Sequence, residues 1–445
     1  MPAVTEPNAQ ELERYVAQAL ALARQGGAAQ AEAGVSVSTG LAVTVRLGEV
    51  ESLEYQRDRG LGITVYRDGR KGSASTANLA AEAIAETVAK ALSIARFTEP
   101  DEFAGLPDAA LLACDWPDLD LYHPWELDAP AAIELAQACE AAGRACDPRI
   151  TNSEGATVST QRQHRVLGNS HGFLGGYPSS VHSMSCVLLG QAGDDLQRDY
   201  WYTTARDWRQ LEDPADVGRR AAERALRRLG AGRLSTRRAP VLFVPELARG
   251  LIGSLVGAAS GTAQYRRSSF LLDAAGAQVL PAGLSLVERP HLPRALGSAP
   301  FDSEGVATRD RDLVVDGVLQ GYVLDTYAAR KLGCTTTGNA GGVHNLILRG
   351  PALAPEELLR RMGSGLLVTE LMGQGVNPVT GDYSRGAAGF RVEQGAIAGP
   401  VHEITIAGNL RDMYRGIVAV GDDMDERGAI HCPSLLLGEM TIAGD

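Results

Sequence analysis

Apolar and polar residues alternate with two different periods along this chain, and the period changes mark the elements. Leu12, Val16, Ala19 and Leu20 recur at helical spacing, and Gly26-Gly27 supplies a stop. Gly34-Val-Ser-Val-Ser and Leu41-Ala-Val-Thr-Val-Arg-Leu alternate with period two, which predicts a pair of half-buried strands. Gly60 to Ser75 predicts a hairpin whose turn is Asp68-Gly69. Asn78 is expected to cap a helix carrying Ile84, Val88, Ala91, Leu92 and Ala95 on one stripe. The acidic, proline-bearing stretch from Pro107 to Asp120 reads as a linker.

A helix from Pro130 to about Cys146 follows, then strands around Val158, Val166 and Val181 to Leu189, then a helix from Pro214 to Leu229 with basic outer positions. Beyond the breaker Gly230-Ala-Gly-Arg-Leu-Ser-Thr come a buried strand, Ala239 to Val244, a helix, Pro245 to Ala258, and many short strands between glycines. The expected fold class is α+β: N-terminal α/β layers followed by a large, mostly antiparallel, strongly curved sheet. The expected units are an α+β domain at 1–112, a second α+β domain at 113–232 and a β-rich C-terminal domain at 233–445.

Composition narrows the function. The 445 residues are 44% hydrophobic and 22% charged, enough to bury a sizeable core. A net charge of -12 and an aromatic content of 5% speak against nucleic acid as a partner. No apolar run approaches the roughly 18 residues a membrane span needs, and the first residues lack a basic segment followed by an apolar one, so a cytoplasmic protein is expected. Six cysteines without a C-x-x-C pair are expected to be reduced thiols.

Local motifs yield no complete catalytic set. Gly168-Asn-Ser170-His-Gly172 fits G-x-S-x-G, but the nucleophile elbow needs a helix after the serine, and Gly172-Phe-Leu-Gly-Gly-Tyr-Pro178 would break one at once. His402-Glu403 begins like a zinc helix, yet position 406 is isoleucine and the surroundings alternate, so the two should point to opposite strand faces. His431-Cys432 are adjacent strand residues, of which at most one should turn inward. Cys139 and Cys146 share a predicted helix face and read as core thiols. Gly253-x-x-x-Gly257 reads as close helix packing, and Asp422-Asp-Met-Asp425-Glu426 as a solvated acidic loop.

Longer stretches carry a resemblance. Gly60-Leu-Gly-Ile-Thr-Val-Tyr through Lys71-Gly-Ser-Ala-Ser-Thr, Phe103-Ala-Gly-Leu-Pro-Asp108, Thr151-Asn-Ser-Glu-Gly155 and Gly168 to Pro178 are similar to the TldE (PmbA) side of the TldD/TldE protease family. So are Tyr265 to Asp273, Val376 to Ser384, Val401 to Leu410, and the ending Cys432 to Gly444. The resemblance spans nearly the whole chain in order. It implies a C-terminal domain of TldD/PmbA type and a heterodimer in which a TldD-like partner carries zinc. In that partner a C-terminal-domain helix bears H-E-x-x-x-H, and a late cysteine completes the site. Aligned on the helix Ala248 to Ala258, the resemblance sets Arg249 and Ser254 at the histidine positions and Gly250 at the glutamate, with Cys432 near the late cysteine.

Arginine stays protonated and has no lone pair to offer a metal. Its charge about 4 Å from Zn²⁺ would cost roughly 8 kcal/mol at an effective dielectric near 20. Glycine cannot serve as general base. No histidine lies between His182 and His291 to replace the missing pair. This chain is therefore expected to hold no metal and no catalytic residue. Its expected role is that of a zinc-site-lacking subunit in proteolysis of unfolded peptides and maturation of modified ones, with extended peptides as substrates. Two other readings stand beside it: a stand-alone peptide-binding or regulatory homodimer, and a hydrolase using Ser170.

Overall fold

Seventeen alternating residues, Gln30–Arg46, form one unbroken strand (β1) rather than the expected pair, because alternation of Ala31, Ala33, Val35 and Val37 toward the core resumes in phase at Leu41, Val43 and Val45. The computed structural model describes residues 8–444. In it β1 is flanked by Glu49–Arg67 (β2), which carries Arg70–Thr76 (β3) on its far side, and by Ile150–Asn169 (β4), which leads to Leu174–Ala192 (β5) and Asp195–Ala205 (β6). All five pairings are antiparallel, in the order β3-β2-β1-β4-β5-β6. Strands from residues below 77 and above 149 thus share one six-stranded sheet. The turn joining β2 to β3 is Asp68-Gly69, as expected, with φ of 53° and 70°.

Four helices cover one face of that sheet. Ala9–Gln25 (α1) and Ala81–Ala95 (α2) pack Leu12, Val16, Ile84 and Val88 on the half built from β1 to β3. Ala129–Arg144 (α3) and Pro214–Arg227 (α4) pack Ala132, Cys139, Val217 and Ala221 on the half built from β4 and β5. Gly218 lets α4 approach α3 closely: a Cβ there would lie 1.9 Å from the Cys139 carbonyl oxygen. Glu140, only 1% exposed on α3, accepts the N–H groups of Leu47 and Gly48 at 2.8 Å each and so fastens the β1–β2 turn.

Two helix details depart from expectation. Asn78 does not cap α2; Ala80 holds that position with no side-chain bond, and Asn78 Oδ1 accepts the Ala80 N–H at 3.0 Å in the turn before it. Cys139 is a core thiol as expected, but α3 ends at Arg144 and leaves Cys146 exposed.

Arg237–Phe243 (β7) opens the C-terminal unit and leads straight into Pro245–Ala258 (α5), with a proline in the first turn. β7 pairs with Gly365–Met372 and with Leu435–Ala443, and through Asp382–Glu393 and Ala396–Asn409 the pairing returns to its start. Curvature here goes as far as a closed ring of five strands within a seven-stranded sheet. A second, five-stranded sheet includes Ser285–Glu288, Leu346–Arg349 and Ile430–His431. The apolar side of α5, Ala248, Leu251, Ile252 and Leu255, lies in the core shared with Phe243, Leu286 and Leu346. Among the described residues no helix is long and apolar enough to cross a membrane.

Candidate functional site

The face of the first sheet opposite its helices is lined by small polar side chains. In register across four strands stand Thr44, Thr157, Ser185 and Tyr202. Thr44 and Thr157 join hydroxyls at 2.9 Å, and Ser159 and Ser183 at 2.8 Å. Ser36, Ser38 and Gly40 continue this face along β1, opposite Arg165, Gln163 and Gln161 of β4. These residues are half-buried or exposed, so the wall offers hydroxyl and amide groups beside little apolar surface.

At the β6 end of this wall the C-terminal unit brings up α5, and three of the four expected site positions lie on it. Arg249 donates from Nη2 to the Tyr202 hydroxyl at 3.1 Å and from Nη1 to the Arg427 carbonyl at 2.8 Å. Its Nη1 also lies 3.5 Å from Asp425 Oδ2, an oxygen that takes no hydrogen bond. Gly250, one residue on, is exposed, and a Cβ built there meets nothing within 4 Å. Ser254 turns its hydroxyl back to the Gly250 carbonyl at 3.1 Å. Gly257 continues the same bare stripe, again with nothing near a built Cβ. Gly253, expected to allow close helix packing, has only Ile430 Cδ1 near, at 3.7 Å, so the glycines of α5 keep a surface smooth rather than a contact tight.

The fourth position, Cys432, is fully buried, donates to the Pro433 carbonyl at 3.4 Å, and burial drives its thiol well above the ordinary range. The acidic segment is not the solvated loop expected. Asp425 is 5% exposed and bridges to Cys432 by backbone; its Oδ1 accepts Arg427 Nε at 2.8 Å, while Asp423 accepts the N–H and hydroxyl of Ser434. Arg427 in turn donates to the Tyr202 carbonyl at 2.9 Å and stacks over the rings of Trp201 and Tyr202 at 4.5 and 4.4 Å. Arg427 and Tyr202 had no signal in the sequence, since neither lies near α5 along the chain.

This donor set does not fit zinc. The guanidinium of Arg249 has no lone pair and stands where positive charge would be repelled, Ser254 spends its hydroxyl on its own helix, and a buried, proton-holding Cys432 is one ligand where a catalytic site needs three. Among the described residues, no group of three or more His, Cys, Asp or Glu side chains is gathered as a metal would require.

The other motifs resolve locally. Ser170 sits in the β4–β5 hairpin loop, with no helix following, and its Oγ accepts the Ala31 N–H at 3.0 Å. His402 and Glu403 form a bulge in the strand Ala396–Asn409, where Glu403 has φ of 50° and pairs with Arg233. His431 and Cys432 are both buried, against the expectation that only one could be, because the strand ends at His431 and Cys432 enters the bridge to Asp425. A feature the sequence did not suggest is a cavity of about 570 Å³ between the first sheet and the C-terminal unit, lined by Glu32, Tyr66, Lys71, Glu304 and Tyr327 among others.

Three successive stretches match domains of the PmbA/TldA metallopeptidases: domain 1 over residues 31–95, the central domain over 122–229 and the C-terminal domain over 236–444. The chain is 52% identical to Metalloprotease PmbA of Escherichia coli O157:H7, over 100% of this chain and 99% of that protein. Two proteins of Haemophilus influenzae are also similar. Its Metalloprotease PmbA homolog is 48% identical, over 100% of this chain and 98% of its own, whereas its Metalloprotease TldD homolog is 23% identical, over 70% and 72%. Among solved structures, a protein of Bacteroides thetaiotaomicron named as a modulator of DNA gyrase superposes with a TM-score of 0.93 at 28% identity, covering 98% of this chain and 100% of that one.

Proposed function

The chain belongs to the PmbA/TldA metallopeptidase family, and from that premise we propose that it is the non-catalytic subunit of a two-chain peptidase whose TldD-like partner holds the zinc. The observation that carries this reading is the state of Arg249. Its guanidinium is tied to Tyr202, Arg427 and Asp425 at the position that the family resemblance assigns to a metal-binding histidine. The much higher identity to the PmbA protein of Haemophilus influenzae than to its TldD protein supports the same side of the family.

The chain contributes wall rather than chemistry. The hydroxyl-lined face of the first sheet runs to Tyr202, and the bare stripe of Gly250 and Gly257 on α5 leaves room beside it. Together they suit an extended peptide held by main-chain hydrogen bonds, which read no particular side chain and so admit unfolded substrates of varied sequence. The complex acts in the cytoplasm.

The test is direct. This chain, a TldD-like partner and their mixture are assayed for cleavage of an unstructured peptide, with co-elution and metal content measured on the same samples. Cleavage and stoichiometric zinc are expected in the mixture and neither in this chain alone. Chelator-sensitive cleavage by this chain by itself, as its relatives' name of metalloprotease would suggest, overturns the reading.

A further inference from the structure

We propose that the cavity between the first sheet and the C-terminal unit binds an organic ammonium ion, the protonated amine of a short diamine or of a lysine side chain. At about 570 Å³ the cavity has the size of a small-molecule site. Glu32 of β1 and Tyr66 of β2 line it from the sheet, Glu304 and Tyr327 from the C-terminal unit, and Lys71 and Ser73 of β3 stand at its exposed rim.

Of the four carboxylates lining it, Asp101 pairs with Lys331 and Glu99 is exposed, while Glu32 and Glu304 are held by neutral donors. Glu304 accepts the N–H of Thr326 at 3.0 Å and the Thr326 hydroxyl at 2.5 Å, and Glu32 accepts the Tyr66 hydroxyl at 3.3 Å. Lys71 stands at the exposed rim, and two other neighbouring cations are engaged elsewhere. Lys331 stacks on the Phe103 ring at 4.2 Å and pairs with Asp101 at 3.7 Å, and Arg330 donates to the carbonyls of Phe103 and Leu106. Further negative charge stands close by at Asp302 and Asp325. Carboxylates that outnumber the one lining cation, Lys71, in a roomy cavity suit a cation from outside. The phenol rings of Tyr66 and Tyr327 favour an organic cation with an alkyl stem over a small hydrated metal ion, which would leave most of the space to water.

The titration of the walls agrees. Burial first, then repulsion from Asp302 and Asp325, pushes Glu304 up to about 7, and burial raises Glu32 as well, partly offset by Lys71. Asp302 and Asp325 act on Glu304, Lys71 and Tyr66 on Glu32, and Arg330 on Tyr66; Glu99, Asp101 and Tyr327 also line the cavity, and burial keeps Tyr66 in its neutral form. An ammonium ion entering at pH 6 to 7 must therefore displace a proton.

Calorimetry on the full chain tests this with 1,4-diaminobutane, Nα-acetyl-lysine amide, 1,4-butanediol and magnesium chloride. At least one of the two amines should bind once per chain at pH 8, and whichever binds tighter identifies a free diamine or a peptide side chain as the source. Affinity should fall about tenfold at pH 6, with a proton release visible as buffer-dependent heat. Glu32→Gln together with Glu304→Gln should weaken binding at least tenfold. Ser73→Trp, placed at the open rim away from the buried carboxyls, should do the same in a chain whose unfolding is unchanged. Absence of heat with both amines, equal binding of the diol, tighter binding of magnesium, or affinity kept in both variants would overturn the proposal. None of these outcomes bears on whether the chain is catalytic.

Discussion

Along β6 the C-terminal unit meets the first sheet with two arginines set against Asp425, Glu246, Tyr202 and Trp201, while along β1 to β3 it meets the same sheet with Glu304 and Tyr327 around open space. The first seam matches charge with charge. The second leaves carboxylates on hydroxyl donors and keeps a cavity. Burial of an unpaired charge is costly, so a seam of the second kind persists only where something offsets it or where the cost is tolerated for a use. The position where sequence pointed to chemistry is the closed one, and the position it passed over is the open one.

The largest expected effect comes from opening the closed seam. Arg427→Ala would leave Asp425 buried with one backbone N–H and the long contact to Arg249, its guanidinium partner lost, and should cost about 3 kcal/mol in the first urea transition. A loss under about 1 kcal/mol would mean that the seam is held by packing alone.

Relieving the open seam should have the opposite sign. Burial pushes Glu304 up to about 7 from an ordinary 4.5, so its folded form carries no penalty below about pH 4.5, and the penalty grows from there to about pH 7 and is full above it. Glu304→Gln, which keeps an oxygen for Thr326, should therefore stabilise the chain by about 2 kcal/mol at pH 8 and by almost nothing at pH 4.5. A flat difference between the two pH values in urea melts would show that the cavity already neutralises this carboxylate.

Arg249→Ala removes one half-exposed side chain from the closed seam and should cost about 1–2 kcal/mol, read in the same urea transition. Under the proposed function it should not lower cleavage by the two-chain mixture through loss of any catalytic group. The smallest effect is expected at Gly250→Ala: nothing meets the added Cβ, and alanine outranks glycine inside a helix, so a gain of about 0.5–1 kcal/mol should appear as a higher melting temperature. If cleavage by the mixture falls while stability rises, the bare stripe on α5 is in use.

Elements whose burial pattern repeats locally were legible. The helix Pro245–Ala258 was read to the residue, because the proline opens it and its stripe of Ala248, Leu251, Ile252 and Leu255 faces one core. The Asp68-Gly69 turn followed from its two positive φ angles, which few residue pairs tolerate. The first part of β2, Glu49 to Arg59, was missed because its side chains are mostly exposed and charged. Pairing with β1, together with Glu140 on the turn, holds it, not an apolar face of its own. Within the candidate site, Arg249, Gly250, Ser254 and Cys432 could be named by resemblance. Asp425 was misread as solvated because the groups around it, Arg249 and the Tyr202 and Trp201 rings under Arg427, lie more than 170 residues away.

Taken alone, the amino-acid order determined the long amphipathic helices and most of the half-buried strands, the α+β class and the family, since each depends on periodicity or on long runs of matching residues. Tertiary structure decided the rest: that residues on either side of α2 and α3 share one sheet, that Arg249 meets Tyr202 and Arg427, and that Glu32 and Glu304 look into one cavity. The reason is range. Periodic burial acts over a few residues along the chain, whereas ion pairing, desolvation and cavity shape depend on groups hundreds of residues apart that only folding brings within a few ångströms.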